Sequence, residues 1–260
     1  MNVYEAISVR KACRDFVFEE ISDQKLQSVL HYAYGLTPYD SRIRIEFRIE
    51  KTGDKGTPVK GMFLRKAPYY LVLASERKEN DFINAGYLLE QVSLYMTTLG
   101  IGSCFLGGAK PVENLEKDLA YEYVIALAFG KVPGSCRREK NKIKRKKLEE
   151  ICILRPGLSE EMRTVLNAAR LAPSSFNSQP WRFAVSDEKI HVFCRNNVIR
   201  TSTRKMNQID MGIAMSHMYI AAEELWLNSY IKRLDNLEHK DAKKYRYVAT
   251  VFIKRNEVFD

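Results

Sequence analysis

Three segments of the first half of the chain recur, in the same order, in the second half. The aligned pairs are residues 28–37 with 164–173, residues 84–93 with 210–219, and residues 121–124 with 245–248. A repeat whose parts keep a fixed order predicts one structural unit that is built twice. We therefore expect a first repeat at residues 1–136, a basic linker at 137–150 and a second repeat at 151–260.

Hydrophobic periodicity predicts the elements of each repeat. Apolar residues share one face of a helix over residues 23–35, for which Ser22 can act as the N-cap. A strongly periodic helix covers residues 84–99, and Pro173 ends an amphipathic helix in the second half. Alternating or continuous apolar residues predict strands at 43–49, 69–74, 121–130 and 182–185.

Composition limits the class of protein. The 260 residues, 45% of them hydrophobic, suffice for the core of one large domain or of two smaller ones. No apolar run approaches the ~20 residues that span a bilayer, and the N-terminus lacks the basic start and apolar core of a signal peptide. Five scattered cysteines without zinc-ligand spacing indicate neither a disulfide framework nor a metal site, namely Cys13, Cys104, Cys136, Cys152 and Cys194. We expect a cytoplasmic protein that does not associate with membranes.

The net charge is +10, and much of it lies in residues 137–147, where eight of eleven side chains are basic. Such a run is typical of a solvated linker, an anion site or a nucleic-acid patch. No aromatic residues interrupt the run and no nucleic-acid fold signature accompanies it, so nucleic acid ranks third.

The loop at residues 172–183 reads Ala-Pro-Ser-Ser-Phe-Asn-Ser-Gln-Pro-Trp-Arg-Phe and joins a predicted helix to a predicted strand. Its two prolines fix the backbone on either side of the polar residues. A loop stiffened in this way orients the side chains of Ser174, Ser175, Asn177 and Gln179 as donors and acceptors. By composition alone, an ordinary polar turn is the simpler interpretation.

This loop resembles one in the nitroreductase family, the FMN-dependent NAD(P)H oxidoreductases, in which it holds the flavin ring. The resemblance implies an α+β fold with two nitroreductase-like repeats, each a mainly antiparallel sheet flanked by helices. It implies that the repeats form a pseudo-twofold intramolecular dimer. It also implies that the cofactor is FMN and that five residues of the loop bind it: Pro173, Ser174, Ser175, Asn177 and Gln179.

A basic segment near the N-terminus, residues 10–16, reads Arg-Lys-Ala-Cys-Arg-Asp-Phe. Guanidinium and ammonium groups suit a dianionic phosphate, although an exposed basic turn has the same composition. The segment is similar to the one that binds the FMN phosphate in nitroreductases, which implies this role for Arg10, Lys11, Ala12 and Arg14. Nitroreductases usually have Ser or Thr where this chain has Ala12, so one hydroxyl donor is missing.

A glycine-rich segment at residues 100–108, Gly-Ile-Gly-Ser-Cys-Phe-Leu-Gly-Gly, follows the helix at 84–99. Glycines allow the backbone to approach a flat ligand closely, and a loose glycine loop would look the same. The pattern is similar to the nitroreductase loop along the flavin ring, which implies that Leu106, Gly107 and Gly108 contact FMN. The resemblance also assigns Arg145, which precedes Leu-Glu-Glu, to the phosphate.

The two repeats keep different members of this set. The first retains the basic segment and the glycine-rich segment, whereas its counterpart of the polar loop, residues 37–45, has lost the motif. The second retains the polar loop, whereas its counterpart of the glycine-rich segment, residues 226–234, has no glycine. Nitroreductase sites take parts from both subunits of a homodimer. The resemblance therefore implies a monomer with one FMN site at the interface of its two repeats.

We therefore expect an oxidoreductase that passes a hydride from NAD(P)H through FMN to a nitro compound, a quinone or a similar acceptor. The flavin carries the chemistry, and no side chain is indicated as a catalytic acid or base. One alternative is a non-catalytic flavin store or sensor, which the loss of one site and the departure at Ala12 favour. The other is a nucleic-acid binder that acts through residues 137–147.

Overall fold

The structure is a computed structural model that describes residues 1–54, 56–61, 64–139, 143–153, 157–196, 201–235, 237 and 243–255, without the side chains of 201 and 202. The chain divides into two compact units, unit 1 at residues 1–142 and unit 2 at residues 143–260. The division lies inside the predicted basic linker, of which residues 140–142 are outside the described part.

Unit 1 is built around a four-stranded antiparallel sheet in the order β1-β3-β6-β4. A short pair of strands, β2 and β5, lies apart from this sheet. In chain order the elements are α1 (Val3–Val9), α2 (Asp23–Gly35), β1 (Ile45–Lys51), β2 (Val59–Lys60), β3 (Tyr69–Ser75), α3 (Asp81–Thr98), β4 (Gly102–Phe105), β5 (Lys110–Pro111), α4 (Glu113–Asp118) and β6 (Glu122–Gly130).

Unit 2 contains a five-stranded sheet in the order β10-β11-β9-β8-β7, in which only the pairing of β7 with β8 is parallel among the described strands. In chain order the elements are α5 (Leu148–Ile151), β7 (Cys152–Ile153), α6 (Glu160–Leu171), a 3-10 turn (Ser175–Asn177), β8 (Trp181–Ser186), β9 (Lys189–Arg195), α7 (Thr201–Glu224), β10 (Leu227–Lys232) and β11 (Tyr245–Arg255).

The two main sheets share one strand order. In unit 1 a helix, two strands, a helix and two more strands give the order β1-β3-β6-β4. The corresponding order in unit 2 is β8-β9-β11-β10. In both sheets, the strand that comes last in the chain lies between the second and the third strands. A long helix precedes the third strand in each unit, α3 before β4 and α7 before β10. This architecture confirms the predicted α+β fold with antiparallel sheets and flanking helices.

The core of unit 1 depends on α3 and β3. Every residue of β3 is buried, and α3 buries apolar residues around most of its circumference. A helix of this kind lies inside a domain and not on its surface. Polar side chains within it, such as Asn84 and Glu90, are also buried and therefore require partners. Among the described helices, including α3 and α7, none is both long and apolar enough to cross a membrane.

Strands lie in two segments for which the sequence analysis predicted none. β4 lies within residues 100–108 and pairs with β6 from Gly102 opposite Gly130 to Phe105 opposite Leu127. β10 lies within the counterpart, residues 226–234, and pairs with β11. A loose glycine loop at residues 100–108 is therefore wrong, because the pairing of β4 with β6 satisfies backbone groups that such a loop would leave to solvent.

Gly102 is required by close packing at the start of β4. A Cβ atom added there would overlap Val132 Cγ1 and lie 2.9 Å from both Cβ and Sγ of Cys13. We expect Gly102→Ala to lower the free energy of unfolding by ~1–3 kcal/mol, the usual cost of overpacking. Urea denaturation measures the change.

The matched control is Gly35→Ala at the end of α2, where an added Cβ meets nothing within 4 Å. We expect this variant to be as stable as the wild type or more stable by up to ~1 kcal/mol. Equal destabilisation by the two substitutions would contradict the packing role of Gly102.

Candidate functional site

The predicted phosphate segment of unit 1 runs beside β4. α1 ends at Arg10, after which isolated bridges pair Arg10 with Arg137 and Ala12 with Ser103. The Cys13 amide donates to the Ser103 carbonyl at 2.9 Å. The structure thus brings together, within unit 1, the basic segment and the glycine-rich segment that the sequence predicted as parts of one site.

The guanidinium of Arg10 is committed to a buried ion pair. Its Nε lies 3.0 Å from Oε1 of Glu90 in α3, and the two side chains are 5% and 0% exposed. Each charge neutralises the other in a place that excludes water, where an unpaired charge would be costly. Arg10 therefore anchors the basic segment to α3.

Lys11 and Arg14 differ from Arg10 because both are exposed, and Ala12 between them is half-buried. Burial raises the pKa of the Cys104 thiol in β4, and the positive charges of Arg14, Arg10 and Arg65 partly offset that rise. The surroundings of β4 are therefore electropositive, as a phosphate site requires.

Leu106, Gly107 and Gly108 form a turn after β4. Leu106 is 5% exposed and packs in an apolar cluster with Val72 and Ala126, while the two glycines are exposed. The Ala109 amide closes the turn by donating to the Leu106 carbonyl at 3.1 Å. The side chain of Leu106 therefore supports the core, and the glycine backbone is what the turn presents to solvent.

In unit 2 the polar loop adopts a backbone that side-chain-bearing residues rarely take. Phe176, Asn177 and Gln179 have φ values of 54°, 54° and 49°. Each left-handed residue other than glycine costs roughly 1–2 kcal/mol, and such strain concentrates at functional sites. The loop also holds itself, since the Gln179 amide donates to Ser174 Oγ at 2.9 Å.

Arg145 fastens this loop from one side. Its Nε donates to the Ala172 carbonyl at 2.9 Å and its Nη1 donates to Asn177 Oδ1 at 2.9 Å. The neighbouring Lys146 amide donates to Gln179 Oε1 at 2.8 Å. The planar guanidinium spans a backbone and a side-chain acceptor at once, which a lysine ammonium cannot do with the same geometry. Three predicted site residues are thus brought together within unit 2.

Asp210 of α7 fastens the loop from another side. Its carboxylate accepts the Ser175 amide at 3.0 and 3.1 Å and the Ser175 hydroxyl at 3.2 Å. The side chain is 2% exposed. Burial raises the pKa of Asp210 to about 7, and the two hydrogen-bond donors of Ser175 limit the rise.

The exposure of the loop residues follows from these contacts. Gln179 is buried, Pro173, Ser174 and Ser175 are half-buried, and Asn177 is exposed. Phe176 is 85% exposed at the tip of the loop. A large aromatic ring held in water on a strained loop is a candidate contact for a ligand.

Sequence reasoning missed Glu90, Asp210 and Arg65. The first two left a signal, because Glu90 lies among apolar residues of the predicted helix at 84–99 and Asp210 begins the segment that aligns with that helix. A lone acid in such a position needs a buried partner. Arg65 left none, since it lies in a loop among other basic residues.

The basic run at residues 137–147 has structural contacts at both ends. Arg137 bridges to Arg10, and Arg145 holds the polar loop, while residues 140–142 lie outside the described part. Within the described residues, no group of three His, Cys, Asp or Glu side chains is arranged to hold a metal ion.

A family-wide sequence profile with the description "Putative TM nitroreductase" matches residues 2–222 of the chain. The curated protein "Putative NAD(P)H nitroreductase Rv3131" of Mycobacterium tuberculosis is 29% identical over 99 residues, which is 37% of this chain. That match spans 27% of the length of the curated relative.

The chain is also similar to solved structures. A crystal structure described as a putative nitroreductase from Thermotoga maritima has a TM-score of 0.67 at 19% identity and covers 97% of this chain and 94% of its own. A nitroreductase with bound FMN from Desulfitobacterium hafniense has a TM-score of 0.41 at 18% identity and covers 56% of this chain and 100% of its own. At 19% identity, the likeness to the Thermotoga maritima structure concerns the fold alone.

The stability of the protein should depend on the ion pair of Arg10 and Glu90. We expect Arg10→Met to lower the free energy of unfolding by ~3–5 kcal/mol, because it leaves the Glu90 charge buried without its cation. The double variant Arg10→Met/Glu90→Leu should recover most of that loss, since it removes both charges. A double variant less stable than Arg10→Met would contradict this account. Urea denaturation of both variants provides the comparison.

Asp210 makes a prediction that depends on pH. The pKa of Asp210 in the folded state is about 7, above the ordinary 3.8. Its contribution to the free energy of unfolding is therefore fully present below pH ~4 and is lost as pH rises through 7. We expect Asp210→Asn to raise the free energy of unfolding at pH 8 by at most ~4 kcal/mol, the equivalent of that shift. The gain should disappear near pH 4. Urea midpoints across this range test the sign, and a variant less stable than wild type at pH 8 would contradict it.

Proposed function

Because this chain belongs to the family described as "Putative TM nitroreductase", we propose that it passes a hydride from NAD(P)H through one FMN per chain to an organic acceptor. Family membership supports an oxidoreductase of the nitroreductase type as the general activity. The acceptor class that we propose is a nitro compound, a quinone or a similar small molecule. Cytoplasmic location and a monomeric state belong to the same proposal.

The observation that carries the proposal is the strained polar loop of unit 2. Three of its residues have left-handed backbone, and Arg145 and Asp210 hold it from outside the loop. Strain that is maintained by surrounding contacts is characteristic of sites that present groups to a ligand. The residues under strain include Asn177 and Gln179, which the family resemblance assigns to flavin.

The chain offers donors that fit each part of FMN. Exposed Lys11 and Arg14 supply positive charge for a phosphate, and Gly107 and Gly108 expose their backbone in the turn after β4. FMN, when bound, supplies the hydride chemistry. The protein positions it: Asn177 presents an oriented amide, and Arg145 fixes that amide while adding positive charge. Arg10 acts in this assignment by anchoring the phosphate segment.

We also infer that the chain arose by internal duplication. The common strand order of the two sheets supports this, in addition to the three aligned segments. A second parallel is a hydrogen bond: Asn84, aligned with Asp210, accepts the Asp40 amide at 3.2 Å, as Asp210 accepts the Ser175 amide. Complementary loss of motifs in the two copies leaves the parts of one flavin site.

The first test is the flavin content of the purified protein. We expect a yellow protein that carries about one FMN per chain, released by heat and quantified by absorbance, since only one set of binding motifs is retained. Two FMN per chain would contradict the single site. No FMN, even after reconstitution, would contradict the proposed function.

Variants test the assigned residues. We expect Asn177→Ala and Arg14→Ala each to weaken FMN binding by ~1.5–3 kcal/mol, the scale of a hydrogen bond to a charged or buried group. The matched control is Asn228→Ala in β10, an exposed residue of the segment that lacks glycine. Fluorescence quenching of FMN measures the dissociation constants. Wild-type affinity in Asn177→Ala would contradict the role of the loop.

Turnover separates the proposed enzyme from a flavin store or sensor. NADH and NADPH oxidation is measured with a nitroaromatic and with a quinone acceptor. Saturable oxidation that follows flavin content supports the enzyme. Stoichiometric FMN without NAD(P)H oxidation in the presence of either acceptor would favour the flavin store or sensor. Ala12, in place of the usual Ser or Thr of the phosphate segment, is the observation that favours this second candidate.

A further inference from the structure

The polar loop rests on a single buried carboxyl group. Ser175 stands directly before the first left-handed residue, Phe176, and both its amide and its hydroxyl reach Asp210. Because the next residues are strained, the position of Ser175 constrains where Asn177 and Gln179 point, in addition to the contacts from Arg145 and Lys146. Any change in how Asp210 binds Ser175 is therefore transmitted to the predicted flavin residues.

Unit 1 contains a comparable contact without a titratable group. At the aligned position of α3, Asn84 accepts the Asp40 amide at 3.2 Å through Oδ1 and donates to the Asp40 carbonyl at 3.5 Å. An amide is therefore sufficient to hold the segment after α2. The segment held in this way, residues 37–45, lacks the Ser-Ser-x-Asn-x-Gln motif. The titratable carboxyl occurs under the loop that keeps the motif.

We propose that Asp210 is a positioning residue that makes the conformation of the loop at residues 174–179, and through it FMN affinity, depend on pH. The part of this inference that concerns FMN rests on the proposed function. The part that concerns the loop is independent of it.

The two protonation states of Asp210 bind Ser175 differently. A neutral carboxyl group accepts the Ser175 amide with its carbonyl oxygen and donates its own proton to Ser175 Oγ, so both oxygens of Asp210 are hydrogen-bonded without a buried charge. An ionised carboxylate keeps both Ser175 donors but places a charge where only 2% of the side chain is exposed. We call the conformation in which Ser175 binds Asp210 the closed loop. This conformation therefore favours the neutral form of Asp210.

The charged and titratable groups near Asp210 do not reverse this preference. Cys194 of β9 faces Asp210, and burial raises the pKa of its thiol to about 11, so it stays neutral at the pH values considered. Arg246 of β11 acts on Cys194. From the loop, only Ser175 contributes to the pKa of Asp210 among the described residues, and burial remains the largest influence.

The direction of the pH dependence follows from linkage. When the loop lifts, water reaches the carboxyl group and its pKa returns towards the ordinary 3.8, whereas in the closed loop it is about 7. The closed loop binds the proton more tightly, so it loses stability as pH rises through 7. Between pH 6 and pH 8 this shifts the closed–open equilibrium by about tenfold.

The variant Asp210→Asn separates this effect from a purely structural role. Its Oδ1 accepts the Ser175 amide and its Nδ2 donates to Ser175 Oγ, so it imitates the neutral carboxyl group at every pH. We expect it to keep the loop closed and to bind FMN at pH 8 at least as tightly as the wild type. Asp210→Ala, which removes the contact, should lose FMN affinity at all pH values.

The decisive measurement uses the flavin-free full chain. Amide hydrogen exchange of residues 174–179, corrected for the intrinsic effect of pH, is followed from pH 6 to pH 8. We expect protection in the wild type to fall by up to about tenfold relative to Asp210→Asn over this range. Asn84→Ala in unit 1 is the control and should leave the exchange of this loop unchanged. A ratio between wild type and Asp210→Asn that is constant with pH would overturn the proposal.

FMN binding provides a second test of the proposal. The ratio of the dissociation constants of wild type and Asp210→Asn should rise by up to about tenfold from pH 6 to pH 8, and comparing the two proteins removes the titration of FMN itself. A flat ratio together with pH-dependent exchange would overturn the coupling to FMN. Failure of both proteins to bind FMN at any pH would contradict the proposed function, while the exchange experiment still decides the behaviour of the loop.

Discussion

The fork that Arg145 makes between the Ala172 carbonyl and the Asn177 amide is the interaction on which the candidate site depends. It joins the end of α6 to a loop in which three side-chain-bearing residues have positive φ. Such a backbone costs several kcal/mol and does not persist without external contacts. Arg145 provides them on one side and Asp210 on another, so the loop is held by residues that precede and follow it in the chain.

A buried charge performs the corresponding task in unit 1. Glu90, on a helix that is buried over most of its length, fixes Arg10 and with it the segment that continues to Lys11 and Arg14. The basic residues of this short motif therefore have different roles. Arg10 is 5% exposed and structural, whereas Lys11 and Arg14 remain at the surface and can meet an anion. Substitutions at these positions therefore have different expected effects, on stability for Arg10 and on ligand affinity for Arg14.

Family membership and the site chemistry support one another at different levels. The profile match over residues 2–222 shows that the chain belongs to the family described as "Putative TM nitroreductase", and the antiparallel sheets with flanking helices agree with the fold of the Thermotoga maritima structure. Fold alone does not define a function. The proposal for FMN rests on the strained loop and the exposed basic residues, and the proposed pH dependence rests on the carboxyl group beneath that loop.

The sequence by itself predicted three of the longer helices, four of the strands and the candidate motifs, because periodicity, prolines and glycines act over a few residues. It also predicted that Arg145, Asn177 and Gln179 belong to one site. Only the tertiary structure decided how they are held: that Arg10 faces Glu90, that Asp210 lies under Ser175, and that the glycine-rich segment contains β4. These contacts join residues far apart in the chain, and local patterns carry no information about which buried donor will meet which buried acceptor. Packing makes that choice, since each buried charge or polar group must find a partner within the same core.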